Sequence, residues 1–177
     1  MALGLAEAHV SRAKIPEFVA ALEAGEGVDA AVARFQSEAA PGPIVQNRAA
    51  IDAAFSGASV GEILARLSAD GSDFAKEAAK LMGQKAPLSL AVALRQMQVG
   101  AGVDFEEAMR TEFRIVSRIC RGPNFYEGVR ATIIDKDQKP AWKPARIEDV
   151  TAADVDAIFA PLGADELDLA GVAETAA

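Results

Sequence analysis

The sequence predicts an all-α fold of about eight helices, and three observations predict it. Alanine supplies 39 of the 177 residues, and no residue favours a helix more strongly. Aromatics make up only 6%, and few stretches are rich in Val, Ile, Thr or Tyr at a period of two, so little material is left for strands. Capping patterns also recur ahead of runs whose apolar residues stand three and four apart.

Taken in order, Leu3 and Leu5 read as the end of a short helix. A helix over Pro16–Ala24 carries Phe18, Val19 and Leu22, with proline in its first turn. One over Val28–Ala39 carries Val32 and Phe35. Pro41-Gly42-Pro43 breaks the chain, and a helix near Gln46–Phe55 carries Ile51 and Phe55. Ser59-Val60-Gly61-Glu62 is a capping box: the serine oxygen takes a backbone N–H three residues on, and Glu62 reaches back. It opens a helix to Ala69 with Val60, Ile63, Leu64 and Leu67. Ser72–Met82 follows with Phe74 and Ala78.

Pro87–Val99 is apolar on most sides and is expected to be buried; Gly100 and Gly102 end it. Asp104–Arg121 is the longest helix, capped by Asp104. Its apolar stripe is Phe105, Met109, Phe113, Val116 and Cys120. Beside the stripe Arg110, Arg114, Arg118 and Arg121 fall within about 80° of one another at 100° per residue. Such a row needs acids or an anion to neutralise it, so it faces either an acidic neighbour or solvent. Gly122-Pro123 stops this helix. Asn124 then reads as the cap of a short one to Ala131, with Glu127 three residues on. Thr132-Ile133-Ile134 leads into the loop DKDQKPAWKP. Thr151, with Asp154 at the positive end, opens the last helix to Phe159. No repeat and no long linker appears, so residues 1–163 read as one helical domain and 164–177 as an acidic, frayed tail.

The composition excludes several classes. Half the chain is hydrophobic and a quarter charged, which is globular. One cysteine, Cys120, excludes an internal disulfide framework and a cysteine zinc site, and one histidine, His9, excludes a multi-histidine metal centre. Cys120 continues an apolar stripe and reads as core; His9 reads as a packing or surface residue. No metal is expected. No run of about 18 apolar residues is present, so no membrane partner is expected. The opening MALGLAEAHV has no basic segment and no long apolar stretch, and a cytoplasmic place is expected.

Net charge is −8, unevenly spread. Residues 110–146 carry nine Lys/Arg against four Asp/Glu, whereas residues 147–177 carry no base and eight acids. A basic segment within an acidic protein suits a small anionic ligand better than nucleic acid. There is no glycine-rich phosphate loop and no G-x-S-x-G elbow.

From Pro87 to Pro144 the residues carry a specific pattern. It comprises Asn124-Phe125-Tyr126-Glu127-Gly128-Val129-Arg130-Ala131, then Ile134-Asp135-Lys136-Asp137, then Pro140-Ala141-Trp142-Lys143-Pro144. This run resembles the 3-hydroxyisobutyryl-CoA hydrolase family, a branch of the crotonase (enoyl-CoA hydratase/isomerase) superfamily. Asp70-Gly71-Ser72-Asp73-Phe74-Ala75 and Gly4-Leu5-Ala6 extend the likeness more weakly. Pro123-Asn124 departs from the family's usual His-Asp.

The resemblance implies the helical C-terminal region of a crotonase-like α/β enzyme. The family's front part, with its oxyanion hole and acidic residues, has no matching positions here. No catalytic residue is therefore expected in this chain, which is expected to be inactive by itself and to need a crotonase core in cis or in trans. The complete enzyme would hydrolyse an acyl-CoA thioester in valine breakdown, with coenzyme A carried by the substrate and no separate cofactor. Helices made to cover such a core leave an apolar face bare without it, so self-association as a homo-oligomer is expected. The alternatives are another hydratase or isomerase of the superfamily, and a non-catalytic helical module that pairs with such a core.

By the same resemblance the 124–143 region lies near the adenine end of coenzyme A. Phe125 would wall the adenine, and Lys136, Lys139 and Lys143 would meet phosphate as point charges. Glu127, Gly128, Arg130, Asp135, Asp137 and Trp142 are expected to shape the motif, with Arg130 bonding Glu127 or a loop carbonyl and Trp142 anchoring the loop. The opposing reading is that Asp135 and Asp137 neutralise Lys136 and the whole loop is structural.

Overall fold

A computed structural model of the chain describes residues 4–169, and among these every regular element is helical. The α-helices are α1 (Ile15–Glu23), α2 (Val28–Phe35), α3 (Pro43–Gln46), α4 (Arg48–Phe55), α5 (Val60–Asp70), α6 (Asp73–Gly83), α7 (Pro87–Gly100), α8 (Phe105–Ile119), α9 (Pro123–Val129) and α10 (Ala152–Phe159). Two compact units divide the chain, Met1–Ile51 and Asp52–Ala177.

In the first unit α1 packs on α2. Phe18 meets Phe35 edge to face, with ring centroids 5.9 Å apart, and Ala31 and Phe35 are buried. Helix α2 ends at Phe35, short of the expected Ala39, because Gln36 turns extended and pairs with Val10 in an isolated antiparallel bridge. The expected Gln46–Phe55 helix starts at Arg48, since Asn47 breaks the turn and donates its side-chain amide to the Pro43 carbonyl at 2.9 Å. No helix reaches Leu5, which lies exposed in irregular chain; Leu3 lies outside the described residues.

The second unit builds its core from α5 and α6. Ala54, Ile63, Leu67 and Ala75 form the buried centre, with Phe74, Ala78, Met82 and Leu94 against it. The caps explain why the helices start where they do. Ser59 accepts from the Glu62 amide at 3.1 Å, Ser72 from Ala75 at 3.2 Å, and Asp104 from Glu107 at 2.9 Å. Thr151 and Asp154 exchange bonds in a complete capping box. Gly71 closes α5 at φ 66°, a left-handed position where a side chain would be strained.

Two expectations of burial are overturned. Helix α7 is not buried all round: Pro87 and Val92 are buried, while Met97 is 77% exposed. On α8 the stripe is not the core face throughout. Phe105, Met109 and Val116 are exposed, while Phe113 and Cys120 are half-buried; Arg114 and Arg118 of the arginine row turn toward the α10 side, on which α8 packs. Arg114 keeps only 16% of its side chain exposed, between Glu107 at 2.7 Å and Glu166 at 3.0 Å. Arg118 donates to the carbonyls of Ile158 at 3.0 Å and Pro161 at 3.2 Å, satisfying the end of α10. Within the acidic tail, Glu166 is thus tied to α8; residues 170–177 lie outside the described residues.

Candidate functional site

The residues of the 124–144 motif gather around α9. Gly122, not Asn124, is the N-cap of this helix, and Pro123 takes its first position, where its missing N–H costs nothing. Asn124 is thereby freed for another task. Its amide donates to the Lys143 carbonyl at 2.7 Å, and the Lys143 N–H donates back to its oxygen at 2.8 Å. One side chain holds both backbone groups of a residue nineteen positions away.

After Val129 the helix widens into a π-turn over Arg130–Ile134. On an α-helix Asp135 would stand about 140° round from Arg130. The wider turn, closed by the Asp135 amide on the Arg130 carbonyl at 2.8 Å, brings it back into reach. Arg130 Nη1 then donates to Asp135 at 2.7 Å and to Asp137 at 2.8 Å. Nε and Nη2 grip Glu127 at 2.9 and 2.7 Å, and Nη2 also reaches the Lys139 carbonyl at 3.1 Å. Lys136 and Gln138 both lie left-handed, at φ 57° and 56°, a conformation that persists only where the surroundings over-determine it. The fork supplies that constraint.

The same bonds set the charge of the cluster. Glu127 is held down at about 2, first by the Arg130 fork and then by the Ala141 amide, which donates to it at 2.7 Å. Asp137 is held below the usual carboxylate range by Arg130 and by the Lys139 amide. Glu127 and Asp137 are therefore ionised at neutral pH, and all three carboxylates turn toward Arg130. The two aspartates spend their charge on Arg130, and Lys136 between them forms no ion pair with either.

Trp142 lies over Gly128: a Cβ at that glycine would come within 3.3 Å of the indole. Its Nε1 donates to the Gln84 carbonyl at 3.2 Å, tying the loop to the end of α6. A cleft of about 670 Å³ opens beside it, lined from the motif by Phe125, Gly128, Ile133, Trp142 and Lys143, from α7 and the turn before it by Leu88 and Lys85, and from α8 by Arg118. Apolar walls with three cations and one carboxylate, Asp154, among the lining suit a ligand that is part aromatic and part anionic. A second cleft, about 520 Å³, lies where the starts of α5 and α10 meet α7 and contains no residue of the motif.

Of the four residues expected to hold coenzyme A, Phe125 and Lys143 line the larger cleft. Lys136 and Lys139 are exposed on the loop and are not among its lining. Glu127, Arg130, Asp135 and Asp137 form one network, and Gly128 and Trp142 one contact. Sequence reasoning missed Lys85 and Arg118 as cleft residues and Asn124 as a clamp. Lys85 carries no local signal. Arg118 stands out in the sequence only as a member of a row, and the spacing of Asn124 to Glu127 is that of a cap.

Comparison with known proteins bears on this geometry. A family model described as enoyl-CoA hydratase/isomerase matches residues 1–159. The 3-hydroxyisobutyryl-CoA hydrolase of Xenopus laevis, mitochondrial by name, is 40% identical over 129 residues, 73% of this chain and 34% of the relative. The human protein of the same name is 42% identical over 117 residues, 66% of this chain and 30% of the relative. The chain thus spans about a third of the length of the curated relatives it matches. Among solved structures, a carnitinyl-CoA dehydratase from Mycobacterium thermoresistibile superposes with a TM-score of 0.87 at 35% identity, over 96% of this chain and 48% of the other. An enoyl-CoA hydratase from Rhodobacter sphaeroides 2.4.1 does so at 0.79 and 36%, over 90% and 46%.

Proposed function

Because the chain belongs to the enoyl-CoA hydratase/isomerase family, we propose that it forms the coenzyme-A-holding helical region of a 3-hydroxyisobutyryl-CoA hydrolase. The observation that carries the reading is the cleft beside α9, where an aromatic wall and a lysine from one motif stand together. Phe125 offers the adenine ring an apolar face. Lys143, with Lys85 and Arg118, offers phosphate a positive edge, and Lys136 and Lys139 add charge from the loop. No separate cofactor is called for, since coenzyme A arrives as part of the ester.

Thioester hydrolysis adds water to the acyl carbonyl, breaks the C–S bond and releases the thiol of coenzyme A. It needs an oxyanion hole and a placed carboxylate, which the family resemblance assigns to its front part. We accordingly assign this chain ligand binding and no catalytic residue, with the hydrolysis, in valine breakdown, belonging to an assembly that includes a crotonase core. A hydratase reading is favoured by the two solved structures, named for dehydration and hydration. The 40–42% identity to hydrolases by name favours the first. Those relatives are mitochondrial by name and lend nothing to a cytoplasmic placement. No helix among the described residues is long and apolar enough to cross a membrane.

The test is in two parts. The purified chain should bind coenzyme A saturably while releasing no thiol from 3-hydroxyisobutyryl-CoA; added to a crotonase core, it should support release. Thiol release by the chain alone would overturn the assignment, and so would absence of any coenzyme A binding.

A further inference from the structure

We propose that Arg130 is a positioning residue for this cleft, setting where Trp142 and Lys143 stand and, through them, how strongly the wall prefers a phosphate-bearing ligand. The inference rests on reading the cleft as a coenzyme A site. As a cation in the basic segment, Arg130 invites assignment as a phosphate ligand itself. Its geometry excludes that. A guanidinium has five N–H donors, and all five are occupied: Nε and one Nη2 donor by Glu127, two from Nη1 by Asp135 and Asp137, and the last by the Lys139 carbonyl. The cluster of three carboxylates and one guanidinium is also net negative and repels phosphate at close range.

What the fork does instead is locate the loop. It takes the Lys139 carbonyl directly. It fixes Glu127, whose carboxylate takes the Ala141 amide at 2.7 Å. It fixes Asp137, which takes the Lys139 amide at 2.8 Å. Residues 139 and 141 are thus pinned from one centre immediately before Trp142 and Lys143, the two loop residues on the cleft wall together with Pro144. Lysine cannot reproduce this, having three donors on one atom in place of a planar fork.

The test uses the full chain and two variants, Arg130→Lys and Asp137→Asn, with Trp142, the single tryptophan, as reporter. Without ligand, both variants should show Trp142 emission shifted toward the red and more easily quenched by acrylamide. With ligand, the wild-type chain should bind coenzyme A roughly tenfold more tightly than 3′-dephospho-coenzyme A, the worth of about one charge-assisted contact. In both variants that ratio should fall toward one. The sign in Asp137→Asn separates positioning from plain electrostatics. Removing a negative charge near the lysines would tighten coenzyme A binding if charge alone mattered, whereas a slackened loop loosens it. Unchanged Trp142 emission and quenching in both variants overturns the proposal, as does a phosphate ratio raised or unaltered in Asp137→Asn. If the wild-type chain binds neither ligand while Trp142 shifts in the variants, the loop positioning stands and the coenzyme A reading falls.

Discussion

Asn124 holds Lys143 by both its backbone groups, donating to the carbonyl at 2.7 Å and accepting from the amide at 2.8 Å. Only a side-chain amide offers a donor and an acceptor side by side in this way. Asn124→Ala should lower stability by about 1–2 kcal/mol, the worth of two modest hydrogen bonds. Asn124→Asp should cost more, because a carboxylate would then face the Lys143 carbonyl with no proton to donate. Urea denaturation of the two variants checks the order. Alanine falling below aspartate would mean the carbonyl contact contributes nothing.

The same pair shows where sequence reasoning stops. The run Asn124–Glu127 has the spacing of a capping box, and the family likeness made the motif conspicuous. Yet capping is a local choice, and Pro123 had already taken the first helical position, leaving the cap to Gly122. The partner of Asn124 lies nineteen residues on, beyond any periodicity. The caps at Ser59, Asp104 and Thr151 were legible because each is settled within four residues. The π-turn was not, since a one-residue widening leaves no mark in the apolar spacing.

Helix α8 adds a second lesson, and a prediction. Periodicity separated its apolar stripe from its arginine row correctly, but it cannot say which face meets the rest of the chain. Val116 lies outward, 49% exposed, while Leu67 on α5 is 1% exposed. Leu67→Ala should cost about 2–5 kcal/mol, the loss of a buried side chain plus the cavity left behind. Val116→Ala should stay within roughly 0.5 kcal/mol. A large loss at Val116 would place the apolar stripe inside after all.

Acid should loosen the Arg130 network in a defined window. Glu127 is held at about 2 in the folded chain, whereas an unfolded glutamate titrates near 4.3. A carboxyl group whose folded value is depressed stabilises the fold fully above its unfolded value and loses that contribution as pH falls toward the folded one. Melting temperature should therefore decline between about pH 4.5 and 2. Glu127→Gln should melt lower at neutral pH and show a shallower decline across that window. A parallel decline in wild type and variant would assign the acid sensitivity to other carboxylates.

The outward apolar residues should make the chain associate with itself. Met97 and Phe105 are each 77% exposed, and α7 meets α8 near Met97, where the Gln96 amide donates to Glu112. Apolar surface left in water favours contact with another apolar surface. Sedimentation should show a mean mass rising with concentration, and Met97→Lys with Phe105→Lys should reduce it without lowering the melting temperature, since neither side chain is buried. A monomer at all concentrations would mean these residues are too scattered to form a patch.

The three loop lysines separate by place, and coenzyme A binding should separate them too. Lys143 lines the cleft, whereas Lys136 and Lys139 stand outside its lining. Their ammonium groups act as point charges, so their effect falls with distance and with salt. At low ionic strength Lys143→Ala should weaken coenzyme A binding roughly tenfold, as expected for one charge-assisted contact. Lys136→Ala and Lys139→Ala should each weaken it by about twofold, the scale of an exposed charge acting through solvent. Raising salt to about 0.5 M should erase the two smaller effects first, because screening weakens charges acting from a distance more than one in contact with the phosphate. Phe125→Ala should weaken coenzyme A and dephospho-coenzyme A by the same factor, since it meets the ring and not the phosphate. Should Lys136→Ala prove the most damaging of the three lysine variants, the phosphate sits over the Asp135–Asp137 turn and the cleft holds another part of the ligand.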